Sequence, residues 1–374
     1  MSQPPVRAGG QRIAKLRQKL AAEGLDALLV STPENRRYLS GFTGSAGLLV
    51  IPTSGDSQAL ATDFRYVEQA GVQAPAFRVQ QITGGWDWAP KLFAELGVHK
   101  VGFEAGNLTY DTYQQLVVAV AEGPARDQTS LAPATGLVEP LRAVKDAEEL
   151  AALQRAIDIS DRAMDEVAPT IRPGETEVVV AWRIEQRIRE LGAESVSFEL
   201  IVAAGPNGAM PHHRPSGRPI AAGEPIVMDI GARAEGYCSD LTRTVCVGAP
   251  DATYKKVYDT VLAAQLTAIA TMRPGMTGKE ADALARVVIE QAAHADHFGH
   301  SLGHGVGLAV HEQPTVGARS TQVLEEGMVF TVEPGIYIPG WGGVRIEDVV
   351  ILERDGARVL SHARKIDMLP GGRV

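Results

Sequence analysis

Carboxylates and histidines gather in the second half of this sequence in an order that suits metal chemistry. Pro225 to Val245 reads as two strands about a tight turn. Ile226-Val227-Met228 and Leu241 to Val245 are apolar and β-branched, and Ala234-Glu235-Gly236 breaks the run. With Ala234-Glu235 as a two-residue loop, Arg233 faces Gly236, Gly231 faces Cys238 and Asp229 faces Asp240. Directly opposed positions set their Cβ atoms roughly 4.5–5.5 Å apart. Two carboxylates that close repel unless a cation lies between them. A second hairpin repeats the pattern: Val329 to Tyr337, a turn centred on Gly340, and Val344 to Val350 set Glu333 opposite Glu347. Between the hairpins, five of the nine histidines fall from His294 to His311. Four carboxylates and an imidazole are ligands that suit Mn²⁺, Co²⁺ or Zn²⁺. One ion rarely needs four acids, so the pattern points to two metals.

The elements that position these residues follow from periodicity. At 374 residues the chain exceeds what a single core usually supports, and two domains are expected. From residue 11 to about 130, short apolar strands alternate with helices. Strands are predicted at 27–30, 48–51, 58–62, 77–80 and 101–103, with helices at 88–96 and 109–121. Ile13, Leu16 and Leu20 mark one helical face that Gly24 ends. This half reads as a small α/β domain over residues 1–132, where Gly123-Pro124, Pro133 and Pro140 punctuate the boundary. Residues 133–374 carry an internal repeat. A helix over 147–167, Arg172-Pro173-Gly174-Glu175-Thr176, a second helix and the first acidic hairpin are followed by a helix over 253–272, Arg273-Pro274-Gly275-Met276-Thr277, a helix and the second hairpin. Such a duplicated α+β half-domain brings both hairpins to one cleft on a pseudo-twofold axis.

Composition narrows the partners. Net charge is −9, hydrophobic content 45% and charged content 22%, which offers no attraction to nucleic acid or an anionic membrane. No apolar run is long enough to span a bilayer, and Met1 to Leu20 has no signal-like apolar stretch. The two cysteines, Cys238 and Cys246, lie on one predicted strand with Cα atoms ~26 Å apart, beyond disulfide reach. A reducing, cytoplasmic setting is expected.

These motifs resemble a known family. Met228-Asp229-Ile230-Gly231, Ser239-Asp240-Leu241-Thr242-Arg243, Gly303-His304-Gly305, Glu333-Pro334-Gly335 and Arg345-Ile346-Glu347 resemble the pita-bread metallopeptidases. Within them the chain is most similar to the proline-specific branch, aminopeptidase P and prolidase. Asn35 to Phe42 and Thr62 to Tyr66 resemble that branch's first domain. The resemblance implies that Asp229 chelates one of two divalent ions, expected to be Mn²⁺. Asp240 and Glu347 would bridge the pair, and His304 and Glu333 would complete the second. Glu333 would also move a proton to the leaving nitrogen.

His212 would bind substrate, His300 and His311 would orient its carbonyl, Arg345 would sit beside the ligands and Tyr337 would line the cleft. His213 departs from a common glycine, which leaves open which neighbouring histidine points inward. The implied substrate is a peptide with proline at its second position, cleaved as by a small bacterial aminopeptidase P or, alternatively, as by a prolidase restricted to dipeptides. Arg36, Arg37 and Arg65 are candidate cations for a dipeptide's carboxylate. The resemblance also implies a homodimer. A methionine aminopeptidase lacks such a first domain, and creatinase-type hydrolases lack the metal set. Singly, Asp229 or Asp240 would read as a turn acid, Arg345 as a partner for Glu347 or Asp348, and Cys238 as a small buried filler. Trp86 and Trp88 are expected to pack their own domain.

Overall fold

A computed structural model describes residues 6–124 and 128–369. Residues 1–5, 125–127 and 370–374 of the two expected domains lie outside them. The chain divides into two compact units between Arg142 and Ala143, against the expected division at 132/133.

The first unit is a mixed sheet in the order β4-β3-β2-β1-β5-β6. Its strands are β1 (Ala27–Val30), β2 (Leu48–Pro52), β3 (Ala59–Thr62), β4 (Arg78–Gln81), β5 (Lys100–Glu104) and β6 (Ser130–Ala134). The helices are α1 (Val6–Ala22), α2 (Pro33–Ser40), α3 (Val67–Gln73), α4 (Trp88–Leu96), α5 (Tyr110–Glu122) and the short α6 (Glu139–Ala143). Ile13, Leu16 and Leu20 of α1 are buried, as their spacing predicts, and Gly24 at φ 62° turns the chain out of the helix. Trp86 and Trp88 stack with centroids 5.6 Å apart and pack against this unit's own core. Periodicity missed α2, α3 and β6, which are short or weakly patterned. Arg36 is buried on α2, where its guanidinium donates to the carbonyls of Gly47 at 2.6 Å and Gly44 at 2.5 Å. It therefore staples a loop. Arg65 is tied to Asp63 by two bonds of 2.8 Å.

The second unit repeats itself. Its first half runs α7 (Ala147–Val167), α8 (Glu177–Glu190), β7 (Ser195–Val196), β8 (Ile201–Ala204), β9 (Pro225–Ile230), β10 (Ala232–Ala234), β11 (Tyr237–Cys238) and β12 (Leu241–Val247). The second runs α9 (Ala252–Thr271), α10 (Gly278–Gln291), β13 (Gly303–Gly305), β14 (Glu312–Val316), β15 (Val329–Val332), β16 (Gly335–Ile338), β17 (Gly342–Arg345), β18 (Asp348–Glu353) and β19 (Gly356–Val359). A final strand, β20 (Met368–Leu369), joins β12 in parallel.

The two Arg-Pro-Gly turns are alike in detail. Gly174 and Gly275 adopt φ 91° and 93°, and Thr176 and Thr277 cap α8 and α10 through their hydroxyls. Each turn also docks on a later strand-like segment. Gly174 N–H donates to Ile220 O and Gly275 N–H to Leu324 O, both at 2.8 Å. This matched tertiary contact is more than turn chemistry alone would produce. Each half surrounds an apolar core, one built on α7, α8, β8–β10 and β12 and the other on α9, α10 and β15–β18. No helix among the described residues is long and apolar enough to cross a membrane.

Candidate metal centre

The second hairpin has the predicted register. Val332 pairs with Asp348 and Gly335 with Arg345, so Glu333 and Glu347 fall opposite each other where the ladder opens between the two strand pairs. The first hairpin is offset by two residues. Its turn is Glu235-Gly236, both at positive φ (49° and 77°), and Ala234 pairs with Tyr237. Asp229 therefore faces Thr242, not Asp240. Side chains alternate with a period of two, so a two-residue offset keeps both aspartates on one face. The acids still meet, as diagonal neighbours.

All five expected ligands line one cleft of about 600 Å³, together with His212, His300, His311, Tyr337 and Arg345. One ligand atom from each of Asp240, His304 and Glu347 lies within 4.8 Å of the others. His304 Nε2 is 3.3 Å from Glu333 Oε1 and 3.6 Å from Asp240 Oδ2. Its Nδ1 faces the Gly305 carbonyl at 3.1 Å. Nδ1 therefore carries a proton, and Nε2 is the nitrogen turned toward the acids.

Arg345 is the cluster's internal cation. Its Nη2 donates to Asp229 Oδ2 at 2.6 Å, its Nη1 to Tyr337 Oη at 2.9 Å and its Nε to Thr242 Oγ1 at 3.0 Å. Its carboxylate partner thus lies on the other hairpin. Asp348 is held instead by Arg243 at 2.8 Å and Lys365 at 2.6 Å.

One arginine does not balance four acids. Burial pushes the Asp240 carboxyl well above its ordinary range, and the charges of Glu347, Asp229 and Glu333 push it further. Burial raises Glu347 likewise, with Glu333 and Asp229 adding to it. Burial also raises Asp229 against the pull of Arg345. Asp229 Oδ1 is buried without a hydrogen-bond partner. Such an orphaned acceptor is costly unless a cation takes it up. Acids that cannot all ionise together, an orphaned oxygen and an imidazole nitrogen facing them fit divalent metal.

Two hydroxyls missed by sequence reasoning shape the ligands. Thr242 Oγ1 donates to Glu347 Oε2 at 2.7 Å. Thr331 Oγ1 donates to Glu333 Oε1 at 3.1 Å and accepts the His304 N–H at 3.1 Å. Each threonine lies two residues along the chain from an acid of the cluster, a spacing that could have flagged it. Glu177, a further residue without a sequence signal, holds His213 Nε2 at 2.9 Å.

The histidines separate by what they touch. His213 lines the cleft but is tied to Glu177, while the neighbouring His212 lines the same cleft; burial lowers the His311 pKa, and the charges of His304 and His212 add to that. The His311 ring lies against that of His304, tilted by 52° with centroids 4.1 Å apart. His300 Nδ1 faces the Ser301 carbonyl at 2.8 Å and its Nε2 faces Tyr337 Oη at 2.9 Å. Arg345 donates to that phenol oxygen, so the Tyr337 hydroxyl proton points to His300 Nε2. Both nitrogens of neutral His300 are then engaged, and burial holds it below its ordinary range. Cys238 and Cys246 are both buried.

Comparison with known proteins places this geometry. Residues 151–354 match Metallopeptidase family M24, and residues 12–144 match the Creatinase/Prolidase N-terminal domain. The chain is 43% identical to the uncharacterized peptidase YqhT of Bacillus subtilis, across 95% of this chain and 98% of that one. Among solved structures it is similar to an Xaa-Pro dipeptidase from Bacillus anthracis, with 42% identity, a TM-score of 0.92 and coverage of 96% and 100% of the two chains. It is also similar to an X-Pro aminopeptidase from Thermotoga maritima, with 36% identity, a TM-score of 0.84 and coverage of 92% and 98%.

Proposed function

Because the chain belongs to metallopeptidase family M24, and is therefore a peptidase, we propose that it is a two-metal exopeptidase that cleaves the bond between an N-terminal residue and a following proline. The observation that carries this is the gathering of Asp229, Asp240, His304, Glu333 and Glu347 in a single cleft, with Asp240 and Glu347 buried. These five residues would hold two divalent ions. We take the ions to be Mn²⁺ on the oxygen-rich donor set, which Co²⁺ or Zn²⁺ could also satisfy. Bound there, they would supply Lewis-acid polarisation of the scissile carbonyl and a water acidic enough to attack near neutral pH.

The protein's own groups do the rest. Glu333, beside His304, takes the proton from the attacking water on a carboxylate oxygen and delivers it to the proline nitrogen. His212 and His311 carry the N–H groups that meet the substrate carbonyl and the charge that develops on it. His300, with both nitrogens engaged, instead fixes the Tyr337 hydroxyl and through it Arg345. An Xaa-Pro amide has no N–H to grip, so recognition falls to shape. Phe198, Leu200, Ile201 and Val310 give the cleft an apolar wall suited to a pyrrolidine ring. Two buried cysteines that are not bonded to each other support a reducing, cytoplasmic setting.

The more similar solved relative is named a dipeptidase, so the prolidase reading has at least as much support as the aminopeptidase P one. The test is hydrolysis of Ala-Pro beside Ala-Pro-Ala-Ala by chelator-stripped protein with Mn²⁺ restored, alongside Asp240→Ala. Metal-dependent cleavage of both peptides, lost in the variant, is the aminopeptidase P outcome. Cleavage of the dipeptide alone is the prolidase outcome. No metal-dependent cleavage of either peptide sinks the proposal.

A further inference from the structure

Away from the carboxylate cluster, one fully buried acid takes no part in the chemistry above. Glu177 lies in the first turn of α8 with no exposed surface, and five contacts converge on its two oxygens. Oε1 accepts the Ala204 N–H at 2.8 Å and Asn207 Nδ2 at 2.9 Å. Oε2 meets His213 Nε2 at 2.9 Å, the Ser216 N–H at 3.0 Å and Ser216 Oγ at 2.6 Å. Burial alone would raise this carboxyl, but the bonds from Ala204, Ser216, Asn207 and His213 outweigh it and hold the group below its ordinary range.

All four partners belong to residues 204–216, the segment that carries His212 to the cleft. The far side of that segment is packed as tightly. Gly205 sits at φ +52°, where a Cβ would come within 2.2 Å of Glu224 Oε2, and a Cβ on Gly208 would meet Gly343 N at 3.0 Å. Gly343 lies on the strand that ends at Arg345. The segment is thus clamped between the metal hairpin and one buried acid.

We infer that Glu177 is the positioning residue of the substrate loop, acting on the bound peptide through His212. By docking His213, it ties one of two adjacent cleft-lining histidines to the scaffold and leaves the other, His212, for the substrate. The inference rests on the exopeptidase reading, in which His212 meets the substrate. A carboxylate is the group the geometry requires, because every contact needs an acceptor and both oxygens are used. Glutamine keeps the shape but turns an NH₂ toward donors on one side or the other.

The test is a double-mutant cycle on Mn²⁺-loaded protein with Ala-Pro, comparing wild type, Glu177→Gln, His212→Ala and the double variant. Glu177→Gln is expected to lower kcat/KM by between about tenfold and about 10²-fold, mostly through KM, with bound metal unchanged. In the His212→Ala background the same change is expected to cost less than about threefold, the shortfall expected of residues that act as a unit. Ser216→Ala removes one of the five contacts and keeps the cycle usable if Glu177→Gln folds poorly; a few-fold loss in the same direction is expected. A second reading uses metal-free protein, where the His212 ring resonances should be single in wild type and broadened or doubled in Glu177→Gln. An undiminished loss in the His212→Ala background, or an unchanged His212 signal, overturns the inference. If wild type cleaves no Xaa-Pro peptide, the exopeptidase reading fails instead, and the His212 resonances still test the positioning.

Discussion

Lys145→Met should destabilise the second unit far more than an ordinary lysine substitution. Lys145 Nζ lies 2.7 Å from Glu312 Oε1, and the two side chains are 0% and 5% exposed. Glu312 directly follows His311, and its Oε2 meets the Ala309 N–H at 3.4 Å. The same carboxylate therefore shapes the turn that presents His311. Exposed ion pairs contribute about 0–1 kcal/mol. Deleting one partner of a buried pair costs about 3–5 kcal/mol, whereas replacing both can be nearly neutral. We expect Lys145→Met to cost about 3–5 kcal/mol and the double variant Lys145→Met/Glu312→Gln to regain at least about 2 kcal/mol of it. The assay is urea unfolding followed by circular dichroism, with the second unit's transition identified as the one whose midpoint moves with Mn²⁺. A loss below about 1 kcal/mol for the single variant would place the pair with surface salt bridges and refute the burial argument. So would a double variant as unstable as the single.

Two shorter predictions use neighbouring buried groups. Thr242→Val keeps the shape but removes the hydroxyl that donates to Glu347 and accepts from Arg345; Mn²⁺ affinity, measured by calorimetry, should fall about 10–100-fold, and an unchanged affinity would deny Thr242 any part in holding Glu347. Burial lifts Asp161 to about 6, against hydrogen bonds from the His362 and Ala363 N–H groups. A folded-state value above the unfolded one means that the folded chain binds the proton more tightly. Its contribution is therefore present below about pH 4 and is lost as pH rises through about 6, a change of roughly 3 kcal/mol. Asp161→Asn should gain stability relative to wild type over that window, and urea midpoints that keep parallel pH slopes would contradict it.

What could be read in advance divides along physical lines. Helices with a strong apolar period came out nearly whole, as at Ala147–Val167 and Trp88–Leu96. The second hairpin's register was legible because Gly340, at φ 80°, leaves one place for the turn. The first hairpin offered three small or flexible residues for a two-residue turn. Glu235-Gly236 won because a primed turn needs positive φ at both central positions, which glycine gives freely at the second. The error moved Asp229 opposite Thr242 without moving it off the cleft face, so the ligand set survived a wrong register. Partners across hairpins were not legible at all. Nothing local says that Arg345 reaches Asp229, or that Glu177, an ordinary first-turn acid by sequence, is buried under residues 204–216. Both depend on how separate elements pack.

The buried charges also bear on how many ions the cleft holds. Asp229, Asp240, Glu333 and Glu347 bring four negative charges, and Arg345 returns one positive charge through its contact with Asp229. His304 cannot both ligate a metal and stay protonated, so in a loaded site it adds none. The remainder of three negatives is too large to bury uncompensated. One divalent ion would leave a net negative charge in the place where a peptide carbonyl must gain electron density, which opposes the reaction. Two would leave a single positive excess, and that is the sign that favours charge developing on the carbonyl oxygen. The duplicated hairpins supply acids for two ions, and the single arginine breaks their symmetry by just enough to set that sign.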